Sequence, residues 1–270
     1  MIACPEVALV RIAGAVGRGE PLVDLAFRAA DSLGVSPTDV GGVVAATFSN
    51  PQRFPALAVE VAAHLGLPAS VPAFDLQMAC SAYPYAVYLA GRLASDLGRP
   101  VLVIDGDVQS PLVDASDHAT GHIFSDAVTA TLVRVTDGPQ TSRFDFMTRR
   151  DEALTCPSAG PIRMDGFRVF TFVATDVSRF IRGFLAESGE TPDFFAPHQA
   201  QPYMVRQLAK ALGLSDRLLA IDETLKNPGS CSVAMALAAA PAAGRALIAG
   251  FGAGYSAAVG LVRLEASAVG

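Results

Sequence analysis

Features that identify several common classes of protein are missing from this sequence. The four cysteines, at positions 4, 80, 156 and 231, form no Cys-x-x-Cys pair and no metal-binding spacing with histidine, and a His-Glu-x-x-His motif is absent. The sequence therefore gives no indication of a metal site. We expect a protein without a bound metal, in the reducing environment of the cytoplasm.

Charged residues are also few. They make up 17% of the sequence, the formal net charge at pH 7 is −6, and there is no run of basic residues. This balance argues against a nucleic-acid-binding protein.

The first residues carry no basic stretch of the kind that begins a signal peptide, and the longest uncharged stretch, 227–244, contains Asn, Pro, Gly and Ser. We therefore expect neither a secretion signal nor a membrane span.

Apolar residues, in contrast, make up 51% of the 270 residues, which is enough for a large core. Two stretches, 43–75 and 194–222, resemble each other, because both contain Leu-Gly-Leu and both end in an apolar residue followed by Asp. This weak internal duplication of a β-α-β-α-β-α-β-β unit predicts sheets packed between helices. We expect two halves, 1–138 and 139–270.

The spacing of apolar residues predicts the elements of both halves. Helices are predicted over 21–33, 55–65, 170–187, 202–212 and 232–240, with one more beginning near Cys80. Strands are predicted over 40–47, 71–76, 100–104, 129–135, 193–197, 218–221, 246–248 and 257–264. The Asp-Gly-Pro-Gln segment at 137–140 is predicted to break the chain, and residues 139–168 are predicted to form a loop over a pocket.

One cysteine lies where a predicted strand meets a predicted helix. Phe74–Leu76 end the strand, and the almost uniformly apolar helix that follows carries Cys80 on its first turn. Unpaired backbone N–H groups and the helix dipole lower the pKa of a thiol at such a position, which makes Cys80 a candidate nucleophile. The alternative is a structural cysteine in the core, which is the more frequent role of an isolated cysteine.

Three segments further along the chain favour the nucleophilic role of Cys80 over the structural one. The sequence contains Asp-Leu-Gln-Met-Ala-Cys at 75–80, then Pro-His-Gln-Ala-Gln at 197–201, Lys-Asn-Pro-Gly-Ser at 226–230 and Gly-Phe-Gly-Ala-Gly at 250–254. Together these segments resemble the β-ketoacyl-ACP synthase III (ketosynthase III) family of the thiolase fold, and the chain is similar to a shortened, divergent member. The resemblance implies an α/β protein of two similar βαβαβαββ halves, packed as a five-layered α-β-α-β-α sandwich. The N-terminal half would carry the nucleophile, and the C-terminal half the His and the Asn.

The resemblance also implies roles for individual residues. It implies a catalytic triad of Cys80, His198 and Asn227. Cys80 would take an acyl group from a thioester, and the other two would donate hydrogen bonds to a malonyl thioester as it loses carbon dioxide. The backbone N–H groups of Cys80 and Ala253 would form the oxyanion hole. The residues implied to bind substrate are Phe54, which would reach the pocket of a partner subunit, His122, Phe124 and Phe251.

An acyl carrier protein that delivers acyl groups is the partner that the resemblance implies, together with no bound cofactor and a dimer of identical or paralogous subunits. Some features of the family are missing. There is no Trp to stack on the adenine of coenzyme A, Tyr203 replaces an Arg, and the usual N-terminal strand and the segment after it are not found. These differences argue against coenzyme A binding by the family's usual route, and the acyl thioester of an acyl carrier protein or of coenzyme A is left as the substrate. Candidate contacts for an acidic carrier protein are Arg53, Arg149, Arg150 and Arg206.

Three functions fit these residues. The first is a decarboxylative condensing enzyme of secondary metabolism, which joins the acyl group on Cys80 to a malonyl unit. The second is an acyltransferase or cyclase that passes this acyl group to another acceptor. The third is a non-catalytic partner subunit, although a scaffold has no need of a complete triad. Asn227 favours the first function over the second, because an enolate needs a hydrogen-bond donor.

Overall fold

The computed structural model describes residues 1–117 and 120–266 of the chain. The strands are β1 (Ile2–Val16), β2 (Gly42–Ala46), β3 (Ala73–Leu76), β4 (Val101–Asp107), β5 (Ala127–Thr148), β6 (Leu154–Thr155), β7 (Arg163–Met164), β8 (Phe194–Pro197), β9 (Gly244–Gly252) and β10 (Ser256–Leu264). The helices are α1 (Leu22–Leu33), α2 (Leu57–His64), α3 (Ala82–Leu97), α4 (Gly166–Phe172), α5 (Ser178–Ser188), α6 (Pro202–Leu212) and α7 (Ser232–Ala238). A π-helical turn, Val173–Val177, joins α4 to α5.

Eight of these strands form one continuous sheet in the order β3-β2-β4-β5-β1-β10-β9-β8. The two long strands β1 and β5 connect its halves. Residues 127–133 of β5 pair with β4 and residues 127–136 pair with 6–16 of β1, whereas residues 141–148 belong to the other half. There, residues 143–148 pair with β10. The two halves of the molecule therefore share backbone hydrogen bonds as well as packed side chains.

Five layers result from this arrangement. Helices α3 and α7 lie in the centre, and their Ala- and Val-rich surfaces pack against strands of both half-sheets. Helices α1 and α2 cover the outer face of the N-terminal half-sheet, and α4, α5 and α6 cover that of the C-terminal half-sheet. The layers are those of the predicted thiolase-like α/β sandwich. No helix among the described residues is long and apolar enough to cross a membrane.

The internal duplication has a structural counterpart at the two central helices. A 3₁₀ turn at Ala79–Ser81 leads into α3, and a 3₁₀ turn at Gly229–Cys231 leads into α7. In each half the next element is a strand of the sheet, β4 after α3 and β9 after α7. The duplication therefore brings the start of α3, with Cys80, and the start of α7, just after Asn227, into equivalent positions.

One predicted strand, 218–221, is not formed. Its backbone contact with β8 is limited to a single bridge between Leu218 and Phe195 and a hydrogen bond from the N–H of Leu219 to the Phe195 oxygen. The chain then enters a 3₁₀ turn at 223–225, whose N-terminus is capped by the Asp222 carboxylate. This local cap turns the backbone away from β8 before a second pair of residues is reached.

The predicted chain break at 137–140 is also wrong, because β5 continues through these residues. Thr136 pairs with Glu6 and Thr141 pairs with Pro5, so 137–140 form a bulge opposite two adjacent residues of β1. A bulge leaves its extra residues unpaired, which tolerates the Gly-Pro pair. The predicted division of the chain at 138/139 falls inside this bulge and remains a prediction.

Two further expectations about the chain need correction. The N-terminal strand predicted to be missing is present as β1, a strand of 15 residues. Its alternation of side chains is obscured because residues 7–9 are buried on both faces in the centre of the sheet. Residues 139–168, predicted as a loop, contain the second part of β5 and the short β6–β7 hairpin.

Candidate active site

Cys80 lies in the 3₁₀ turn that precedes α3 and is only 6% exposed. The end of β9 packs directly on this turn. A Cβ atom added to Gly252 would lie 2.8 Å from the Cβ of Cys80, and one added to Gly250 would lie 2.8 Å from the Cα of Ser81. The glycines at 250 and 252 therefore let the backbone of β9 approach the nucleophile more closely than any side chain would permit.

The backbone N–H groups of Cys80 and Ala253 both favour the thiolate form of Cys80. They are the two donors that were predicted for the oxyanion hole. Ala253 is not among the residues with positive φ, so an alanine fits this position without strain. The site thus provides two backbone donors beside the reactive sulfur, as stabilisation of a tetrahedral oxyanion requires.

The thiol of Cys80 is not activated in the way that the sequence predicted. Burial raises its pKa to about 12, and the nearby charge of Asp107 adds to the rise. The backbone N–H groups act in the opposite direction but are outweighed. A thiolate inside an apolar cavity loses its hydration, and one turn of helix with two N–H groups does not replace it. The thiol therefore needs a proton acceptor when it reacts.

His198 follows β8 and is completely buried. Its Nδ1 lies 3.0 Å from the carbonyl oxygen of Gly229 and 3.1 Å from the Ser232 hydroxyl. Because a carbonyl oxygen only accepts hydrogen bonds, this contact places the ring proton on Nδ1 and leaves a lone pair on Nε2. Burial lowers the pKa of His198 to about 4, so the ring is neutral at physiological pH.

Asn227 is held by the same turn. Its Oδ1 accepts a hydrogen bond of 3.0 Å from the backbone N–H of Gly229. This contact fixes the orientation of the side-chain amide, so its NH₂ group is the part left to donate to a ligand. Gly229 thus orients both side chains, His198 through its carbonyl oxygen and Asn227 through its N–H.

Cys80, His198 and Asn227 meet in one apolar cavity of about 420 Å³. Phe124 and Phe251, two of the predicted substrate-binding residues, line it as well. Its remaining wall comes largely from β7, α4, the π turn and α6, through Met164, Val169, Phe170, Val173, Tyr203 and Met204. This apolar wall includes Met164, in the segment that was predicted as a loop, so the pattern of the sequence gave no indication of its role.

A second cavity of about 150 Å³ opens on the other side of Cys80. The two cavities share Cys80, Phe124 and Leu154. Ala253 lines the smaller cavity together with Phe48, Gln77, Ala79, Gln109, Thr155, Cys156 and Ile162. The nucleophile therefore stands at the junction of two chambers, of which only the larger contains His198 and Asn227.

Two predicted substrate-binding residues lie elsewhere. His122 is exposed in the turn 120–123 and lines neither cavity. The chain returns to the site only at Phe124, which forms a backbone bridge with Asn227. Phe54 is 84% exposed and also lines neither cavity of its own chain. An exposed phenylalanine is compatible with the predicted contact to a partner subunit, which the single chain does not test.

The four arginines predicted to meet a carrier protein are all on the surface. Arg149 lies 3.4 Å from Asp176, Arg150 lies 3.4 Å from Glu152, and Arg206 lies 2.6 Å from Glu223. Exposed pairs of this kind are weak and exchange easily for other acidic partners. Their role in carrier binding remains a prediction.

Sequence reasoning did not single out the residues that orient the triad. Gly229 was quoted as part of the Asn-Pro-Gly motif, but a turn motif does not show which side chains its backbone will contact. Ser232, which contacts His198 and accepts a hydrogen bond from the N–H of Gln199, carried no signal of its own. The contacts with His198 and Gln199 join residues more than thirty positions apart and exist only in the folded chain, whereas the contact between Gly229 and Asn227 is local.

The duplicated fold, with a cysteine at the start of one central helix, places the molecule among thiolase-fold enzymes of the acyltransferase class. The chain belongs to the 3-oxoacyl-[acyl-carrier-protein] synthase III family. The family model "3-Oxoacyl-[acyl-carrier-protein (ACP)] synthase III" matches residues 74–151, and the model of the C-terminal part of the same enzymes matches residues 188–264. This membership confirms the resemblance drawn from the four motifs.

Individual relatives agree with this assignment. The β-ketoacyl-[acyl-carrier-protein] synthase III of Rhizorhabdus wittichii is 30% identical over 249 residues, which cover 85% of this chain and 78% of the relative. The crystal structure of 3-oxoacyl-(acyl carrier protein) synthase III from Pseudomonas aeruginosa PAO1 is 24% identical, with a TM-score of 0.89 over 96% of this chain and 98% of that one. The priming β-ketosynthase of the R1128 polyketide pathway is 25% identical, with a TM-score of 0.83 over 98% and 99% of the chains.

Proposed function

We propose that this chain is a decarboxylative condensing enzyme that joins a short acyl group, carried on Cys80, to a malonyl group bound as a thioester to an acyl carrier protein. The observation that supports this proposal most directly is the fixed amide of Asn227. Its NH₂ group is left free to donate into the cavity that also contains Cys80. A donor at this position is required when a malonyl thioester loses carbon dioxide and its carbonyl oxygen becomes an enolate oxygen.

In the first step the sulfur of Cys80 attacks the carbonyl carbon of an acyl thioester. The thiol proton moves to Nε2 of His198, which carries the lone pair, and the backbone N–H groups of Cys80 and Ala253 stabilise the oxyanion. Collapse of the tetrahedral intermediate expels the carrier thiolate, which takes the proton back from His198. The result is an acyl group on Cys80, a free carrier thiol and a neutral His198.

In the second step a malonyl thioester enters the cavity beside the acylated cysteine. Its carboxylate leaves as carbon dioxide, and the electron pair of the broken bond forms an enolate whose oxygen accepts from Asn227. The enolate carbon then attacks the acyl carbonyl. Cleavage of the carbon–sulfur bond gives a β-ketoacyl thioester and the Cys80 thiolate, which takes a proton from solvent. The donor role predicted for His198 does not fit its proton on Nδ1, so we assign donation to Asn227 alone.

The two chambers have different uses in this scheme. The carrier arm must pass through the larger chamber, because only there does a thioester meet His198 and Asn227. The acyl group on Cys80 is then left with the smaller chamber of about 150 Å³. The smaller chamber has about a third of the volume of the larger one, so it favours a short acyl group over a long one. We therefore propose a short acyl group.

The donor is proposed to be a carrier protein. The absence of Trp removes the stacking partner that the family uses for the adenine of coenzyme A. A carrier protein needs only its pantetheine arm inside the apolar chamber and a basic rim outside it, for which Arg149, Arg150 and Arg206 are candidates. The similarity to a polyketide priming synthase supports a role in secondary metabolism. The proposed location is the cytoplasm, and the proposed assembly is a homodimer or a dimer with a paralogue.

One observation favours a second candidate function. The lone pair on Nε2 of His198 is suited to remove a proton from an alcohol or an amine, so the acyl group on Cys80 could pass to such an acceptor. This acyltransferase or cyclase function uses the same first step. A non-catalytic partner subunit is disfavoured, because it has no need of the contacts that orient His198 and Asn227.

Intact-protein mass spectrometry tests these proposals. The protein is incubated with acetyl, butyryl and decanoyl thioesters of an acyl carrier protein and of coenzyme A, and then with malonyl carrier protein. We expect an acetyl or butyryl adduct on Cys80, formed faster than the decanoyl adduct, and its loss on the malonyl chase with release of carbon dioxide. Cys80→Ala abolishes the adduct, whereas Cys156→Ala, which changes the other thiol of the smaller chamber, retains it.

The chase separates the candidate functions. In Asn227→Ala the adduct should form but persist through the malonyl chase, with condensation about 100-fold slower. A wild-type adduct that survives malonyl and clears with an amine or alcohol would favour the acyltransferase. No adduct from any donor would contradict both enzymatic functions and leave the partner subunit.

A further inference from the structure

Two carboxyl groups lie beneath the active site at the end of β4. Asp105 and Asp107 are separated by one residue, and both side chains are completely buried. Neither forms an ion pair among the described residues. Because an isolated buried carboxylate is costly, each of these groups needs either several hydrogen-bond donors or a proton.

Asp107 has the surroundings of an ionised carboxylate. Its Oδ1 accepts from the Thr47 hydroxyl at 2.7 Å, from the N–H of Phe48 at 2.8 Å and from the N–H of Ser49 at 3.1 Å. These donors come from the loop after β2. Burial raises the pKa of Asp107 above its usual value, and these donors act in the opposite direction because they stabilise the charged form. Asp107 therefore holds the loop after β2 against β4.

Asp105 has different surroundings. Its Oδ1 accepts one hydrogen bond, of 2.5 Å, from the hydroxyl of Ser230, and its Oδ2 has no partner among the described residues. Burial and the charge of Asp107 both raise the pKa of Asp105 well above its usual value. Two like charges at this separation in a buried region repel each other strongly. Asp105 is therefore the member of the pair that holds a proton.

Ser230 connects Asp105 to the active site. It is the central residue of the turn Gly229–Cys231, and the turn has a second attachment through the Cys231 thiol, which donates to the carbonyl oxygens of Ala127 and Pro228. Gly229, the residue before Ser230, contacts Nδ1 of His198 and Oδ1 of Asn227. A shift of this turn would move the two groups that set the His198 tautomer and the Asn227 orientation.

We propose that the neutral carboxyl group of Asp105 is a positioning group for the active site, because its hydrogen bond with Ser230 fixes the turn whose residue Gly229 orients His198 and Asn227. Asp105 touches no reacting atom itself. It links β4 of the half that carries the nucleophile to the turn of the half that carries the other two residues. The inference depends on the proposed function in that it assigns His198 to acylation and Asn227 to condensation.

The test compares Asp105→Asn, Asp105→Leu and Ser230→Ala. Asparagine keeps the shape and the acceptor oxygen of a neutral carboxyl group, so Asp105→Asn should remain within about threefold of wild type in both steps. Asp105→Leu and Ser230→Ala should slow the acylation of Cys80 and the condensation by about 10- to 100-fold, with KM unchanged, because misplaced groups act mainly on kcat. The double variant Asp105→Leu/Ser230→Ala should be no slower than the slower of its two single variants, because both substitutions remove the same hydrogen bond.

The matched control is Asp107→Asn. Its neutral amide oxygen accepts the three hydrogen bonds at Oδ1 more weakly than a carboxylate oxygen does, so this variant should lose thermal stability where Asp105→Asn does not. Each rate is measured at a temperature at which circular dichroism shows the variant folded. If Asp105→Leu fails to fold, Ser230→Ala removes the same hydrogen bond with a smaller change and decides the outcome.

Two results would overturn the inference. One is full activity in Ser230→Ala or Asp105→Leu, which would show that the contact positions nothing. The other is an Asp105→Asn variant as slow as Asp105→Leu, which would show that the charge is needed. A wild-type protein that acylates Cys80 but does not condense would contradict the proposed function and not this inference, because the acylation rates of the variants still test it.

Discussion

At the scale of single residues, the least expected property is that of the nucleophile. Cys80 stands at the start of a helix, where a thiol is commonly acidic, yet burial raises its pKa to about 12. The neutral His198 in the same cavity has its lone pair on Nε2, the ring nitrogen that does not contact Gly229. The site therefore combines a thiol that is unreactive alone with a base that accepts its proton when an acyl thioester is present. Such a cysteine is protected from adventitious alkylation and oxidation.

This property predicts the pH dependence of alkylation. Only the thiolate reacts with iodoacetamide, and a thiol with a raised pKa remains protonated through neutral pH. We expect the alkylation rate of Cys80, followed by peptide mass spectrometry, to rise about tenfold per pH unit from pH 6 to pH 9 without a plateau. The exposed Cys156 in the same sample provides the comparison for reagent access. A plateau below pH 8 at Cys80 would show that the helix dipole, and not burial, controls this thiol.

The residues that could be identified from the sequence are those whose type the chemistry demands. The structure brings Cys80, His198 and Asn227 into one cavity, with His198 directly after a strand as predicted and Cys80 in the 3₁₀ turn before α3 instead of on the first turn of the helix. Their orientation depends on Gly229 and Ser232, and on Asp105 through Ser230. The contacts of Gly229 and Ser232 with His198 join distant segments and leave no pattern in the sequence, whereas the contact of Asn227 with the N–H of Gly229 is a local turn of the kind that Asn commonly forms.

At the scale of elements, the junction of β9 with the turn before α3 is the most constrained part of the site. Gly252 has φ of +158° and lies against the Cys80 side chain. Because the neighbouring atoms belong to the turn itself, a methyl group at Gly252 cannot be accommodated by rotation of a flexible side chain. The glycine-rich segment thus fixes the distance between the nucleophile and the N–H of Ala253.

We expect Gly252→Ala to destabilise the fold by about 1–3 kcal/mol and to abolish the acyl adduct on Cys80. Thermal unfolding and mass spectrometry measure the two effects. Gly138→Ala is the matched control, because a Cβ atom there meets nothing within 4 Å, and it should change the free energy of unfolding by less than about 0.5 kcal/mol. A Gly252→Ala variant with normal stability and acylation would contradict the close approach of β9.

Helices and strands were predicted well where the spacing of apolar residues in the sequence matches the face that the folded protein buries. The helices α1 and α6 have one apolar face and clear C-terminal glycines, and both form as expected. The helix predicted over 170–187 begins earlier, at Gly166, and is interrupted by the π turn Val173–Val177 before α5. The prediction failed at 137–140, where a Gly-Pro pair lies in a bulge, and at 218–221, where an apolar run does not add a strand. In both places the sheet partner, and not the local sequence, decides the outcome.

At the scale of the whole molecule, the exposed Phe54 is the residue at which a contact with a partner subunit is predicted. It precedes α2, and Val59 within α2 and Phe74 on β3 are further exposed apolar residues of the same half. Apolar side chains of this size on a surface commonly mark a contact with another protein. A dimer with a second copy or a paralogue would cover them.

We expect size-exclusion chromatography with light scattering to give twice the mass of the chain for wild type. Phe54→Glu should shift the mass to that of a monomer, because a charge cannot be buried at an interface without a partner. Phe167→Glu is the control, since Phe167 is 80% exposed on α4 of the other half. A monomeric wild type would count against a homodimer, and mixing with a paralogue would then test the heterodimer.

The sequence by itself determined the class of the fold and its duplication, and it predicted the triad of Cys80, His198 and Asn227. The fold class and the duplication follow from apolar periodicity and repeated segments, and the triad follows from the resemblance of four local motifs to a known family. The tertiary structure decided the protonation of the thiol and the imidazole, the two chambers beside Cys80 and the buried pair at Asp105 and Asp107. Those properties depend on desolvation and on contacts between distant segments, and burial is a property of the assembled layers, not of any stretch of chain.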